Sequence, residues 1–306
     1  MSIMNGTHAG IFVRRGAARP VILVCLMLFV SFAFGQLEGE IERLTFTYKD
    51  TLKLDFYSHE ASAGKERPLI VLVHGGGFSG GNRDGVGETT FCREMAGSGY
   101  AVASISYRLT RKGATFGCDC AAKDKISTFV KASEDLAEAL DFLRSQEQLL
   151  FDRNTIVLAG SSAGAETVLN SAYMLDHYEF RHLGPIGAAG VISFAGAVLD
   201  SDYIHEDNAL PTLFFHGEKD ELVPFATSPH HYCPTESEGY LVLDGPSSIV
   251  EQLTAQGRSY ILAFDPEGGH EWANRAYEHT DLIRHFIENL VRKGEFEQTR
   301  MRIGKQ

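Results

Sequence analysis

The sequence has little proline, few basic residues and a single long apolar run. Nine prolines stand against 31 glycines in 306 residues, and the glycines follow no Gly-x-y period. Collagen-like and proline-rich low-complexity chains are therefore excluded. We find no internal repeat, and a hydrophobic fraction of 44% supplies enough apolar material for a packed core.

The one long apolar run lies near the N-terminus. Three arginines precede Val21 to Phe34, and the small residue Gly35 follows. This pattern is typical of a signal peptide and predicts cleavage between Gly35 and Gln36. The run is shorter than the roughly 20 residues that cross a bilayer, so we expect no stable membrane span after cleavage. An uncleaved amphipathic anchor stays open as the alternative.

We therefore predict a leader at residues 1–35, a single domain at residues 36–306, and a secreted or periplasmic protein. Removing the leader with its three arginines leaves 25 basic and 40 acidic side chains, a net charge of about −15. Such a charge repels phosphate backbones and acidic membranes. We expect no nucleic-acid partner.

Short β-branched runs alternate with helical patterns from Ile41 onward, which predicts an α/β fold with a mostly parallel central sheet of about eight strands and helices on both faces. The first two runs suggest an antiparallel hairpin, and LIVLV at Leu69 to Val73 is typical of a buried central strand. The predicted strands are Leu44 to Tyr48, Leu52 to Tyr57, Leu69 to Val73, Tyr100 to Tyr107, Thr155 to Ala159, Val191 to Ala195, Pro211 to His216 and Ser259 to Phe264.

Apolar residues at helical spacing predict helices between these strands. Their expected ranges are Lys125 to Ser145, Ala163 to Leu175, Ser248 to Ala255 and Asn274 to Val291. The polar tail after Gly294 is expected to fray.

GSSAG at residues 160–164 lies between a predicted strand and a predicted helix. Glycines two residues before and two after Ser162 permit a sharp turn that exposes its hydroxyl, which makes Ser162 the candidate nucleophile. The alternative is a strand-to-helix turn with a capping serine. Glu166 falls in the first turn of the helix, where the helix dipole stabilises a carboxylate.

HGGGF at residues 74–78 follows the central strand. Successive glycines leave main-chain N–H groups unshielded, so Gly76 and Gly77, with Ala163 after the nucleophile, are the expected donors of an oxyanion hole. A phosphate-binding loop is disfavoured because the Gly-x-x-x-x-Gly-Lys pattern is missing.

A serine hydroxyl needs a base, and the base needs an orienting group. Asp220 and His270 each follow a later predicted strand, and the order Ser162, Asp220, His270 is that of one known triad type. Glu218, Glu221 and Asp265 are nearby substitutes for the acid, and Asp220 could be only a turn carboxylate. His74 and His216 are interpreted as packing residues at strand ends.

HGGGF, GSSAG, EKDELVP at residues 218–224 and GGHE at residues 268–271 together resemble the α/β-hydrolase superfamily. The resemblance covers roughly residues 41–293 and is closest to the secreted carboxylesterase-like branch related to hormone-sensitive lipase and bacterial feruloyl esterases. It implies Ser162 as nucleophile, Asp220 as acid, His270 as base, and an oxyanion hole at Gly76, Gly77 and Ala163.

The sequence differs from hormone-sensitive lipases in two features. The segment before Pro68 is too short and too strand-like for an N-terminal helical cap, and GSSAGA stands where hormone-sensitive lipases have GDSAGG. We therefore favour the capless, feruloyl-esterase-like branch with an open cleft. Prolyl-oligopeptidase-type peptidases share the triad order, but the chain has no room for their propeller domain.

Four cysteines remain beyond the leader, at positions 92, 118, 120 and 233. In an oxidising compartment we expect a disulfide from Cys118 or Cys120 to Cys233, and a buried thiol at Cys92. Zinc binding by Cys118, Cys120 and Cys233 with His230 and His231 is the alternative, although their spacing is a poor zinc pattern.

The sequence thus predicts a serine esterase that acts on a small-molecule or polysaccharide-linked ester without a metal or organic cofactor. A peptidase and a non-catalytic binding protein of the same fold are the alternatives.

Overall fold

A computed structural model of the protein describes residues 39–62 and 66–304. Within these residues nine strands form one sheet in the order β1-β2-β4-β3-β5-β6-β7-β10-β11, and β8 and β9 form a separate ribbon. The strands are Ile41–Lys49 (β1), Leu52–His59 (β2), Pro68–Val73 (β3), Ala101–Ile105 (β4), Asp152–Ser161 (β5), Gly190–Phe194 (β6), Thr212–Gly217 (β7), Ser228–Pro229 (β8), Val242–Leu243 (β9), Tyr260–Asp265 (β10) and Gln298–Arg302 (β11).

The sheet is parallel except at one edge. β1 and β2 form the predicted antiparallel hairpin, and β2 also pairs antiparallel with β4. All pairings from β4 to β11 are parallel. The predicted α/β fold with a mostly parallel sheet is confirmed. β11 is the strand of this sheet that the sequence does not predict.

Helices cover both faces of the sheet. They span Val86–Gly97 (α1), Ala122–Ser145 (α2), Ala163–Tyr173 (α3), Pro246–Ala255 (α4), Trp272–Arg275 (α5) and Thr280–His285 (α6). The alternation of side chains along β3 divides the core: Leu69 and Val71 pack in the cluster that contains α2 and α3, while Ile70 and Leu72 pack in the cluster that contains α1 and α6. Because both faces are covered, β3 is apolar throughout.

The expectation of a frayed tail after Gly294 is wrong. Gln298–Arg302 pairs parallel with β10, with Tyr260 opposite Gln298 and Phe264 opposite Arg302. This edge strand is held by main-chain hydrogen bonds and leaves most of its side chains exposed. A polar sequence without an apolar face is compatible with such a position.

The helix predicted from Asn274 to Val291 is interrupted. α5 passes into the 3-10 turn Ala276–Glu278, and α6 passes into the π-helix Phe286–Arg292. His279, between the 3-10 turn and α6, has φ −91° and ψ 42°, outside the helical range. Thr280 Oγ1 donates to Glu94 of α1 at 2.8 Å. Contacts with other parts of the fold thus accompany the interruption of the helix in residues 274–291.

The predicted leader at residues 1–35 and its cleavage point lie outside the described residues, so the division at residue 36 stays a prediction. Within residues 39–62 and 66–304, no helix combines the length and the apolar character that crossing a bilayer requires.

Candidate active site

A strained turn presents Ser162 at the end of a central strand. β5 ends at Ser161 and α3 begins at Ala163, and Ser162 between them has φ 51° and ψ −119°. A Cβ on Gly160 would collide with the carbonyl of Gly164, and one on Gly164 with the carbonyl of Val73. Only glycine fits both positions, which is why the Gly-x-Ser-x-Gly frame recurs at such turns.

Ser162, His270 and Asp220 form one hydrogen-bonded chain. Ser162 Oγ lies 2.8 Å from His270 Nε2, and His270 Nδ1 lies 2.7 Å from Asp220 Oδ2. Asp220 follows β7 and His270 follows β10, so neighbouring parallel strands deliver both to the carboxyl edge of the sheet. The carboxylate accepts from Nδ1–H, which leaves Nε2 free to accept the serine proton.

The carboxylate of Asp220 is buried and fully bonded. Its Oδ1 accepts the main-chain N–H groups of Leu222 and Val223 at 2.8 and 2.9 Å, and His216 Nε2 lies 3.4 Å from its Oδ2. Burial disfavours the charged form, but the hydrogen bonds from His216 and His270 outweigh it and hold the pKa of Asp220 well below its ordinary range. Asp220 is therefore an anion at neutral pH.

That anion acts on the imidazole in turn. Burial lowers the pKa of His270, but the hydrogen bond to Asp220 outweighs burial and leaves the pKa raised above its ordinary value. The alternative acids are elsewhere: Glu218 and Glu221 are exposed, and Asp265 accepts from Trp272 Nε1 at 3.1 Å. Of the four candidates, Asp220 is the one that contacts His270.

The glycine loop after β3 lines the same cleft as Ser162 and His270. Gly76 and Gly77 have φ 115° and 60°, a region that favours glycine. The carbonyl of Gly76 accepts from Ser79 and Gly80, whereas no described residue accepts from the N–H groups of Gly76 and Gly77. Ala163 is the first residue of α3, and its N–H belongs to the first helical turn, where donors lack an intrahelical acceptor. Three main-chain donors are thus available beside Ser162.

Two loops beside the cleft are joined by a disulfide. Cys118 is bonded to Cys233, one of the two pairings that the sequence leaves open, and Cys120 and Cys92 are buried free thiols. Among the described residues, no group of three or more His, Cys, Asp or Glu side chains is placed to hold a metal ion. His230 instead packs edge-on against Phe116 at 5.3 Å.

The sequence analysis names three further polar residues near the site but does not predict their contacts. His216 contacts Asp220 as well as packing at its strand end, and Glu166 and His230 face each other at 3.2 Å in the cleft. The helix dipole does not decide the state of Glu166, because burial raises its pKa to about 8. The position of Glu166 one turn after Ser162 is the only sequence signal for its place beside the nucleophile.

The family model BD-FAE, which describes α/β-hydrolases related to hormone-sensitive lipases and feruloyl esterases, matches residues 54–184. Gut esterase 1 of Caenorhabditis elegans is 32% identical over 115 residues, which are 36% of this chain and 20% of that protein. The match thus spans only about a fifth of the curated relative.

Solved structures of esterases share the fold. The butyrate-bound thermophilic esterase Est2 from the Planctomycetes species Thermogutta terrifontis superposes with a TM-score of 0.59 at 20% identity, covering 83% of this chain and 95% of that chain. A putative carboxylesterase from Lactobacillus plantarum has a TM-score of 0.57 at 16% identity, covering 82% of this chain and 96% of that chain. At these identities the likeness establishes the fold alone. The chain therefore has the fold of these esterases over 82–83% of its length, and its residues 54–184 are similar to the BD-FAE family of carboxylesterase-like α/β-hydrolases.

Proposed function

We propose that the protein is an exported serine hydrolase that cleaves carboxylic esters with Ser162 as nucleophile. The observation that carries the proposal is the chain of two hydrogen bonds from Ser162 through His270 to Asp220, at 2.8 and 2.7 Å. Each member follows its own strand, and all three meet where the ligand crevice of an open α/β sheet forms.

The mechanism follows from this geometry. His270 Nε2 takes the proton of Ser162 as the hydroxyl oxygen attacks the ester carbonyl. The N–H groups of Gly76, Gly77 and Ala163 receive the negative charge that develops on the carbonyl oxygen. His270 then returns the proton to the departing alcohol, and a water molecule, deprotonated by the same imidazole, releases the acyl group from Ser162.

The comparisons guide the choice of substrate. Est2 of Thermogutta terrifontis was captured with butyrate and with propionate, and it was phosphorylated by paraoxon. We therefore propose short acyl esters as substrates of this chain, on a small-molecule or carbohydrate-linked alcohol. The signal-peptide pattern of residues 1–35 supports export.

The test is labelling by a fluorophosphonate together with hydrolysis of p-nitrophenyl butanoate. We expect Ser162→Ala to abolish labelling and to lower turnover by about 10³-fold or more, with an unchanged circular dichroism spectrum. Ser161→Ala is the matched control, because its hydroxyl donates to the carbonyl of Ala273 at 2.8 Å and not to His270. It should keep its labelling.

The alternatives give different results. A non-catalytic binding protein of this fold would leave the wild-type chain unlabelled, and a peptidase would cleave peptide substrates in preference to esters. Full activity in Ser162→Ala would refute the assignment of the nucleophile.

A further inference from the structure

The cleft around Ser162 continues to a polar pair that the ester mechanism does not use. The cleft has a volume of about 500 Å³, and its lining includes Glu166, His230 and Phe116 as well as Ser162 and His270. Glu166 lies one helical turn after Ser162, its N–H bonded to the serine carbonyl at 2.9 Å. Because Ser162, Glu166 and His230 line the same cleft, a substrate bound at Ser162 lies beside the pair.

Two polar atoms of this pair have no partner. Glu166 Oε1 and His230 Nδ1 are buried without a hydrogen bond to any described residue. Oε1 approaches His230 Nε2 at 3.2 Å without the direction of a hydrogen bond, and the two side chains are only 2% and 1% exposed. A buried polar atom without a hydrogen bond costs free energy, so a carboxyl–imidazole pair with two such atoms in the lining of a cleft indicates a ligand group that completes the hydrogen bonding of the pair.

The surroundings favour a neutral ligand. Burial raises the pKa of Glu166 to about 8, and burial, with the charge of Lys125, lowers the pKa of His230 to about 3. At neutral pH the carboxyl is mostly protonated and the imidazole is uncharged, so the pair offers both donors and acceptors. Lys125 is fully buried nearby, its ammonium donating to the carbonyl of Gly239 at 2.8 Å. That charge disfavours a cationic ligand.

We propose that Glu166 and His230 form a subsite that binds a hydroxyl group of the substrate. A hydroxyl both donates and accepts, which matches a protonated carboxyl beside a neutral imidazole, and Phe116 packs against His230 to supply an apolar side. The hydroxyl belongs either to the acyl chain or to the alcohol part of the ester. This inference rests on the proposed esterase function and names a substrate class for it: hydroxylated esters.

The first experiment compares matched esters with the wild-type protein. One pair is p-nitrophenyl butanoate and p-nitrophenyl 3-hydroxybutanoate, and the other is propyl butanoate and 3-hydroxypropyl butanoate. We expect kcat/KM to be about tenfold or more higher for the hydroxylated member of one pair, because a site built for a hydroxyl rejects the analogue that lacks it. The pair that shows the preference identifies which side of the ester carries the hydroxyl.

Variants then locate the preference. For each of the variants Glu166→Leu and His230→Phe, kcat/KM is measured with both esters of a matched pair. The ratio of the hydroxylated ester to the plain ester should fall to about one. Glu166→Gln keeps a donor and an acceptor and should retain most of the ratio. Glu88→Leu is the matched control, since this second carboxylate in the cleft bonds to Tyr277 and its loss should leave the ratio unchanged.

Three results would overturn the subsite: equal rates within both pairs, a preference that survives Glu166→Leu and His230→Phe, or a preference for butyrylcholine over its uncharged analogue 3,3-dimethylbutyl butanoate. Equal rates would mean that the pair binds only water. In each case hydrolysis of the plain esters would leave the esterase proposal intact, whereas absent fluorophosphonate labelling would remove that proposal itself.

Discussion

Asp220 and His216 share a buried contact, with His216 Nε2 3.4 Å from Asp220 Oδ2. The same nitrogen donates to the carbonyl of Val223 at 3.0 Å. Because a carbonyl only accepts, Nε2 carries its proton, and the Val223 carbonyl shares this proton with the more distant Asp220 oxygen that also binds His270. His216 therefore holds Asp220 in position without contacting His270 or Ser162.

Replacing His216 by phenylalanine should lower kcat/KM for p-nitrophenyl butanoate by roughly 10- to 150-fold, since a hydrogen bond to a charged group contributes about 1.5–3 kcal/mol. The phenyl ring fills the space but has no N–H. The fall should appear in kcat rather than in KM. His216→Gln restores a donor and should recover part of the loss; equal loss in both variants would point to packing instead of positioning.

The pH dependence of hydrolysis should follow His270. Its pKa is raised by Asp220, so the imidazole stays protonated to a higher pH than a free histidine would. A protonated imidazole cannot accept the serine proton, and activity is therefore lost as the pH falls through the raised pKa. We expect the acid limb of kcat/KM to have its midpoint above about 6.5, the ordinary value for histidine.

Asp220→Asn should move that midpoint downward, because the hydrogen-bonded anion is removed while burial continues to lower the pKa of His270. Turnover should fall by about 10³- to 10⁴-fold. Titration of the His270 ring by NMR in the Ser162→Ala background measures the same pKa without turnover. An unchanged or higher pKa in the asparagine variant would contradict this assignment.

Close packing against the main chain after β3 requires glycine at position 164, near the start of α3. Any side chain at Gly164 meets the carbonyl oxygens of Val73 and His74, both part of the main chain, so neither can rotate away. We expect Gly164→Ala to lower the free energy of unfolding by about 3 kcal/mol or more, as for other overpacked cores. Gly97→Ala is the control, because a Cβ there makes only ordinary contact with Ile41 at 3.6 Å. Urea unfolding of the two variants provides the measurement.

The sequence predicts well what is set by local pattern. The frame of glycines around Ser162 selects one serine from two, and the ends of two later strands point to His270 and to a group of acids from which the family resemblance singles out Asp220. The structure brings these three into contact. Local pattern works here because parallel strands place all of their carboxyl ends at one edge of the sheet.

Contacts between distant segments are not predictable in this way. Glu166 and His230 are 64 positions apart, and His230 lies on a loop with neither helical nor strand periodicity, so no sequence pattern pairs them. β11 is missed because an edge strand needs main-chain partners and no apolar face. The helix is interrupted at His279, next to the hydrogen bond from Thr280 to Glu94 of α1. The helical spacing of apolar residues in 274–291 contains no information about this contact.

The disulfide should stabilise the fold by closing a long loop. Cys118 and Cys233 are 115 positions apart, and a loop of about this length corresponds to roughly 4–5 kcal/mol in the chain-entropy model, with measured values typically about 2–4. We expect Cys118→Ala with Cys233→Ala to lower the free energy of unfolding in urea by about 2–5 kcal/mol.

Reduction should reproduce the effect of that double variant. Dithiothreitol should destabilise the wild-type protein to a similar extent and leave the double variant unchanged, since its remaining cysteines, Cys92 and Cys120, are free thiols. Peptide mapping of the non-reduced protein should recover Cys118 linked to Cys233, with Cys120 open to alkylation after denaturation. Recovery of all three as free thiols would show that the loops beside the cleft are held by packing alone, including the contact of Lys125 with Gly239.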